Sequence, residues 1–479
     1  AGYLRGHLPG PALRKGGETV DLLFVRGLVA AEDGEPAPLE VGVAGGRIVA
    51  LGHELPRDGA AVVDCGGLWL LPGLIDVHTH LDLSANGART RDGFTAGSVA
   101  ALAGGVTTVL DFAAPEPGQG LVEATRHRRE AMAAAMAVDF GLHTVVPGQG
   151  PDDLSGAFAD LLRLGVGSVK VFTTYPGLAS DDRRLLAILR AAAATGMLVE
   201  VHAETDALVQ DATGSLAAAG RTSLAWHAHA RPPAAEVEAV GRLLAFAAVT
   251  GAELYFVHLS TGAAARLVGD ARRRGRAVTG ETCPHYLFLD AGRYQGPEPE
   301  RYLMTPPLRP PAVQQALRRE LERGSLSVAA SDHCGYSLDQ RRGLPLGQAP
   351  PGIPGVGMLF PLLYTELVAR GGWPLGRLLA LLAGNPARVF GLPGKGRVAV
   401  GADADLVLFD PGARWTAGDA GSGGVPGYTP YAGWEMRGRV AAVWLRGRPV
   451  YGPGAEAVPG QGRWVPQRRR KGVGGCGTW

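Results

Sequence analysis

The 479-residue chain is short of the features that mark several large protein classes. Its 4 cysteines, Cys65, Cys283, Cys334 and Cys476, are scattered and have neither zinc-finger nor redox spacing. That excludes a disulfide framework and fits a reducing compartment. Net charge is only +2, so no broad field favours nucleic acid or an anionic membrane surface. The one dense basic run, Arg468-Arg469-Arg470-Lys471, lies in a glycine-rich tail and reads as a solvated segment. Apolar stretches are broken by Arg or Asp well short of membrane-spanning length, and the first residues lack a charged-then-apolar secretion pattern. A soluble, cytoplasmic protein without nucleic-acid or membrane partners is expected.

What is present is a strong apolar rhythm. The 72 Gly and 35 Pro punctuate it without breaking it, which excludes disorder for most of the chain. Runs at 69–78, 106–112, 138–146, 168–175, 197–204, 253–260, 277–289 and 327–334 read as buried parallel strands, separated by helical stretches such as 182–194. Eight strands in βα alternation predict an α/β fold, a (β/α)8 TIM-like barrel. Short β-rich pieces at 19–70 and again after residue 392 predict a small β-sandwich assembled from both chain ends. The expected organisation is 1–71 and 392–464 for the sandwich, 72–391 for the barrel, and 465–479 as a basic, disordered tail.

Six side chains with metal-binding chemistry fall at the carboxyl ends of five of these strands: His78, His80, Lys170, His202, His258 and Asp332. In a closed parallel barrel those ends ring one mouth, so residues distant in sequence converge there. His78 and His80 are two apart on one strand and point the same way. Imidazole and carboxylate donors suit Zn²⁺ or a similar divalent ion. Lys170 is flanked by Val169, Val171 and Phe172, where a charged ammonium faces a large desolvation cost. Two readings stand: a lysine paired with a nearby carboxylate, or a neutral amine that takes up CO₂ and bridges two ions as a carbamate. Asp332 can bind metal through one oxygen and accept a proton from water through the other. His333 faces the opposite way and reads as a residue behind the site. The second pair, His227 and His229, sits before Arg231-Pro232-Pro233 and reads as a loop.

With PGLIDVHTHLDL, GGVTTVLDFAAP, SVKVFTTYPG, VHAE, FVHLST, ETCPHYLFLD, TPPLR, SDHC and NPARVFGL in order, the chain resembles the amidohydrolase superfamily over nearly its whole length. Within that superfamily it is similar to the cyclic amidases: hydantoinase/dihydropyrimidinase, allantoinase and dihydroorotase. The resemblance implies two divalent metal ions, most often zinc, and a bridging N6-carboxylated Lys170. It also implies a homotetramer and a small cyclic amide or ureide substrate opened to an N-carbamoyl amino acid. Tyr175 stands where the hydantoinases place a tyrosine that donates to the developing oxyanion, and Thr305 where they commonly have a serine contacting the ring amide. Leu81-Asp82-Leu83 follows His80 in place of the arginine typical of dihydroorotases, which argues against dihydroorotate. The loop after the eighth strand carries Pro351-Gly352 where hydantoinases usually have Asn-Gly. It looks more like the allantoinase or dihydroorotase version, and Gly352 is expected to contact the substrate through its backbone. A hydantoinase-like assembly protein without activity is the rival class; such relatives lose the metal ligands, and all six are present here.

Overall fold

The computed structural model describes residues 20–30, 35–150, 153–419 and 424–469. Five strands open the chain: β1 (Leu22–Val29), β2 (Ala37–Ala44), β3 (Arg47–Gly52), β4 (Ala61–Asp64) and β5 (Trp69–Pro72). β6 (Leu74–Thr79) begins the barrel and is followed by a small hairpin, β7 (Ser84–Ala85) and β8 (Ala88–Arg89). The barrel continues through β9 (Val106–Ala113), β10 (Asp139–Val145), β11 (Ser168–Phe172), β12 (Leu198–His202), β13 (Glu253–Phe256), β14 (Val278–Thr282) and β15 (Val328–Ala329). Three long-range partners close the chain: β16 (Leu406–Thr416), β17 (Glu435–Leu445) and β18 (Arg448–Tyr451).

β6 and β9 to β15 form an eight-stranded parallel sheet in sequence order. A parallel bridge between Thr79 and His333, with His80 N–H donating to the His333 carbonyl at 2.7 Å, joins the last strand to the first and closes the barrel. The remaining strands make one continuous mixed sheet, β18-β17-β16-β5-β1-β2-β3, with β4 also on β1. Phe24, Val41, Ile48, Leu70, Leu406 and Trp444 fill its separate core. The expected β-rich unit is thus assembled from both chain ends through one continuous hydrogen-bonded network.

Strand boundaries differ from the sequence reading, and three of the differences carry a structural lesson. The run 69–78 is two strands that part at Gly73, because an added Cβ there would lie 2.2 Å from Thr107 Oγ1 and 2.7 Å from Asp405 Cβ. Only glycine lets the chain pass from the mixed sheet into the barrel at this spacing. The run 277–289 ends as a strand at Thr282; Pro284 then starts a one-turn helix, Pro284–Phe288, since proline suits a first helical turn and cannot donate to a ladder. The last strand is regular only over Val328–Ala329, so Asp332 leaves the sheet on irregular backbone.

Helices cover the barrel for ordinary reasons. Asp182–Thr195 is capped by the Asp181 side chain accepting from Arg184 N–H, ends at left-handed Gly196, and buries Leu185, Ile188, Leu189 and Ala192 on one stripe.

The segment expected to be a disordered tail from residue 465 is packed as far as Arg469. Val465 is buried, and Gln467 accepts from Gly167 N–H and Ser168 Oγ while donating to the Leu142 carbonyl. Arg469 pairs with Glu253 and donates to the Val389 carbonyl. These partners close the amino-terminal end of the barrel. Residues 470–479, with the rest of the basic run, lie outside the described residues.

Where the mixed sheet meets the barrel, Lys395 is buried and holds Asp139 at 2.5 Å, Asp405 at 2.7 Å and Asp403 at 3.1 Å. Arg446 pairs with the other oxygen of Asp139. Burial opposes the Lys395 charge, but the three carboxylates overcome it and raise its pKa. Lys395→Met should leave buried carboxylates uncompensated and destabilise the fold by about 3–5 kcal/mol. A lower urea midpoint with an unchanged slope is the expected result.

Candidate metal centre

The mouth of the barrel gathers all six residues singled out above. His78 Nε2 lies 3.2 Å from Asp332 Oδ1, and His80 Nε2 lies 3.4 Å from the same oxygen. The His78 and His258 rings are 5.4 Å apart, and His202 Nδ1 is 3.0 Å from His258 Nε2. Lys170 Nζ reaches in above the Phe112 ring at 4.8 Å, and that ring lies 4.8 Å from both His78 and His80. Ligand atoms of His78, His258 and Asp332 all fall within 4.8 Å of one another.

Their hydrogen bonds show which atoms face the centre. His78 Nδ1 meets Glu281 Oε1 at 2.9 Å, so with that carboxylate as acceptor the Nε2 lone pair points at Asp332. His202 Nε2 meets Glu204 Oε2 at 2.7 Å, which leaves its Nδ1 lone pair aimed at His258. A lone pair facing a carboxylate oxygen is repulsive unless a cation lies between them. Burial lowers the pKa of His78, His202 and His258 and keeps the imidazoles neutral, the form that binds metal. Burial works against the Asp332 carboxylate, yet His78 in its charged form and a hydrogen bond from His80 favour the ionised group and bring it below the usual carboxylate range. This donor set fits divalent cations.

Lys170 is 1% exposed, and burial lowers its pKa against the pull of Glu200, Asp332 and Glu281. Glu200 is its register neighbour on β12, and its carboxylate lies beside His143 Nδ1 with no hydrogen-bond partner among the described residues. Among the described residues no carboxylate forms an ion pair with Lys170. The paired-lysine reading therefore lacks an ion-pair partner among the described residues.

Three of the residues at this mouth hold left-handed backbone: Tyr175 at φ 82°, His258 at φ 39° and Asp332 at φ 48°. Such conformations cost roughly 1–3 kcal/mol each in a non-glycine residue and gather where function requires them. Tyr175 lies on the loop after β11 with its ring 5.0 Å from His202. Burial raises the pKa of its hydroxyl, keeping it protonated and able to donate, and the Thr305 side chain interacts with it.

Other expectations change. Gly352 sits at φ 138°, and an added Cβ would come 2.5 Å from Cys334 Cβ. Its N–H already donates to the Leu303 carbonyl at 2.8 Å, and its carbonyl accepts from buried Arg341. The Gly352 N–H is thus engaged in holding the loop, and its carbonyl, which accepts from Arg341, keeps a second lone pair. His227 and His229 lie on a short helix, His227–Ala230, not a loop, and His227 Nε2 bonds to the Met304 carbonyl at 2.8 Å, away from the metal centre. His333 takes N–H bonds from Gly355 and Val356 on Nδ1 and meets Asp92 at 2.9 Å through Nε2. It clamps the loop behind Asp332, as its opposite facing predicts.

Sequence reasoning passed over Glu204 and Glu281. A signal existed for both: each is a lone acid in or just beyond an apolar strand, the same anomaly that singled out Lys170.

A barrel of this closure with a divalent-cation donor set at its carboxyl mouth defines a metal-dependent hydrolase architecture. The amidohydrolase family model matches residues 69–450, and the chain belongs to that family. It is 34% identical over 460 residues to a D-hydantoinase of Rhizobium radiobacter, covering 94% of this chain and 100% of that one. It is 37% identical over 466 residues to an allantoinase of Rubrobacter xylanophilus, covering 94% and 98%. A crystal structure of dihydropyrimidinase from Brevibacillus agri superposes with a TM-score of 0.88 at 34% identity, covering 93% and 98%.

Proposed function

We propose that this chain is a metal-dependent cyclic amidase of the hydantoinase/dihydropyrimidinase type, opening a hydantoin or dihydropyrimidine to an N-carbamoyl amino acid. The observation that carries it is the facing of neutral imidazole lone pairs and the Asp332 carboxylate around a buried, unpaired Lys170. His78, His80 and Asp332 would hold one divalent ion, His202 and His258 a second, with Lys170 as a carbamate between them. Zn²⁺ suits these donors. When bound, the ions lower the pKa of water and polarise the ring carbonyl.

The chain's own groups do the rest. Tyr175 donates its O–H to the oxygen on which negative charge develops. Asp332 takes the proton from the attacking water and returns it to the leaving ring nitrogen, so the amide C–N bond breaks without a free amide anion. Thr305, whose side chain interacts with Tyr175, would meet the ring amide. Tyr175→Phe should retain its metal and lose roughly 10²–10³ in kcat, the usual cost of one oxyanion donor; an unchanged kcat would make the tyrosine a packing residue.

Allantoin is the second substrate reading. Pro351 offers no amide side chain where hydantoinases usually have asparagine, and the 37% identical relative is named an allantoinase. A panel of hydantoin, 5-substituted hydantoins, dihydrouracil, allantoin and dihydroorotate, scored by product mass on metal-loaded protein, tests the assignment. Turnover of none of these rings would sink it, and dihydroorotate as best substrate would move the chain to another branch. A homotetramer is expected from the resemblance, and sedimentation measures it. Cytoplasmic residence agrees with the buried free thiols of Cys65, Cys283 and Cys334. Among the described residues no helix is long and apolar enough to cross a membrane.

A further inference from the structure

We propose that the buried Glu204–Arg231 pair is a shared positioning element that sets His202 toward the metal centre and Tyr175 toward the reacting carbonyl. The proposal rests on the metal-dependent amidase reading.

Glu204 is 0% exposed, and its Oε2 meets both His202 Nε2 and Arg231 Nη2 at 2.7 Å. Arg231 Nε adds bonds of 3.2 and 3.0 Å to the two carboxylate oxygens. One carboxylate therefore grips an imidazole and a guanidinium fork together. The guanidinium carbon lies 5.1 Å from the centre of the Tyr175 ring, which is itself 5.0 Å from the His202 ring. His202, Glu204, Arg231 and Tyr175 thus form a closed loop of contacts.

Each contact has a physical role. An anionic acceptor on Nε2 fixes the tautomer of His202 and keeps the Nδ1 lone pair toward the cation. A cation against the tyrosine ring is attracted by the ring quadrupole and steadies the ring on its left-handed backbone. Arg231 is itself anchored from behind. Arg309 donates to the Arg231 carbonyl and to Ser260 Oγ, and Glu236 accepts from Ser260 and Thr261. Two arginines and two glutamates balance in charge, so the cluster neutralises itself without drawing on the metal ligands. A salt bridge serving stability alone would have no need to touch both the candidate ligand and the candidate oxyanion donor.

The test uses the full zinc-loaded protein and four variants, Glu204→Gln, Arg231→Met, Tyr175→Phe and the double Arg231→Met/Tyr175→Phe. Folding is checked by circular dichroism, metal loss to a chelator is followed, and kcat and KM are measured with hydantoin. The neutral amide in Glu204→Gln is a weaker acceptor, and its NH2 cannot accept the Arg231 Nε bond that the second carboxylate oxygen takes, so metal should leave about 10–100-fold faster than from the parent. Arg231→Met should keep its metal, lower kcat by about 10–100-fold with little change in KM, and add nothing further to Tyr175→Phe. If Glu204→Gln fails to fold, Glu204→Asp, which keeps the charge but shortens the reach, should show the faster metal loss instead.

Metal retention at the parental rate in the folded Glu204 variant, or an Arg231→Met loss that multiplies that of Tyr175→Phe, would overturn the proposal. Should the parent open no cyclic amide at all, the functional reading fails. The chelator assay then decides the proposal alone, with parental retention overturning it and faster loss upholding the His202 half.

Discussion

Lys170→Ala is expected to yield a folded protein that opens no ring at a measurable rate. The substitution removes a side chain that is buried at the mouth yet makes no ion pair, so the fold loses little while the centre loses the group placed between the two imidazole clusters. Burial has already lowered its pKa toward the neutral amine, the form able to combine with CO₂. Metal content should fall with activity. Short carboxylic acids added with zinc should restore part of both, because a free carboxylate can occupy the space of the carbamate. Elemental analysis and turnover, with and without added acetate, measure the effect. Full activity in Lys170→Ala would remove the carbamate from the mechanism.

Asp332→Asn should lose about 10²–10⁴ in kcat, the range for a general acid–base group, even where metal remains. The amide is nearly isosteric and can still place an oxygen near His78 and His80, so the variant separates binding from proton transfer. In the parent, Asp332 lies below the usual carboxylate range despite its burial. The acidic limb of the pH–rate profile should therefore report a joint ionisation of the centre rather than one residue. Equal rates for the parent and Asp332→Asn would assign the proton to another group.

The parts of this architecture legible in the sequence were those set by short-range pattern. Apolar runs marked the barrel strands, and chemically awkward residues at their ends, His78, His202, His258 and above all Lys170, marked the mouth. What escaped was set by long-range approach. The need for Gly73 appears only once Thr107 and Asp405 crowd it. The engagement of the Gly352 backbone depends on Leu303 and Arg341, which reach it from other loops. Arg231 read as part of a polar loop because nothing local tells that Glu204 and Tyr175 await it. The 465–469 segment resembled a tail in composition, yet Gln467 has three specific partners under the barrel.

The pairing of Leu406 with Pro72 carries a consequence for how the chain is made. On the ribosome, β5 emerges early and stays without its β16 neighbour until nearly the whole barrel has been synthesised. Its edge, with Leu70 and Leu71, is for that interval an open template for other chains. Closing so wide a sequence gap is slow compared with forming local helices. Yield on expression should thus depend on the rate of synthesis and on chaperone supply more than on the final stability of the folded protein.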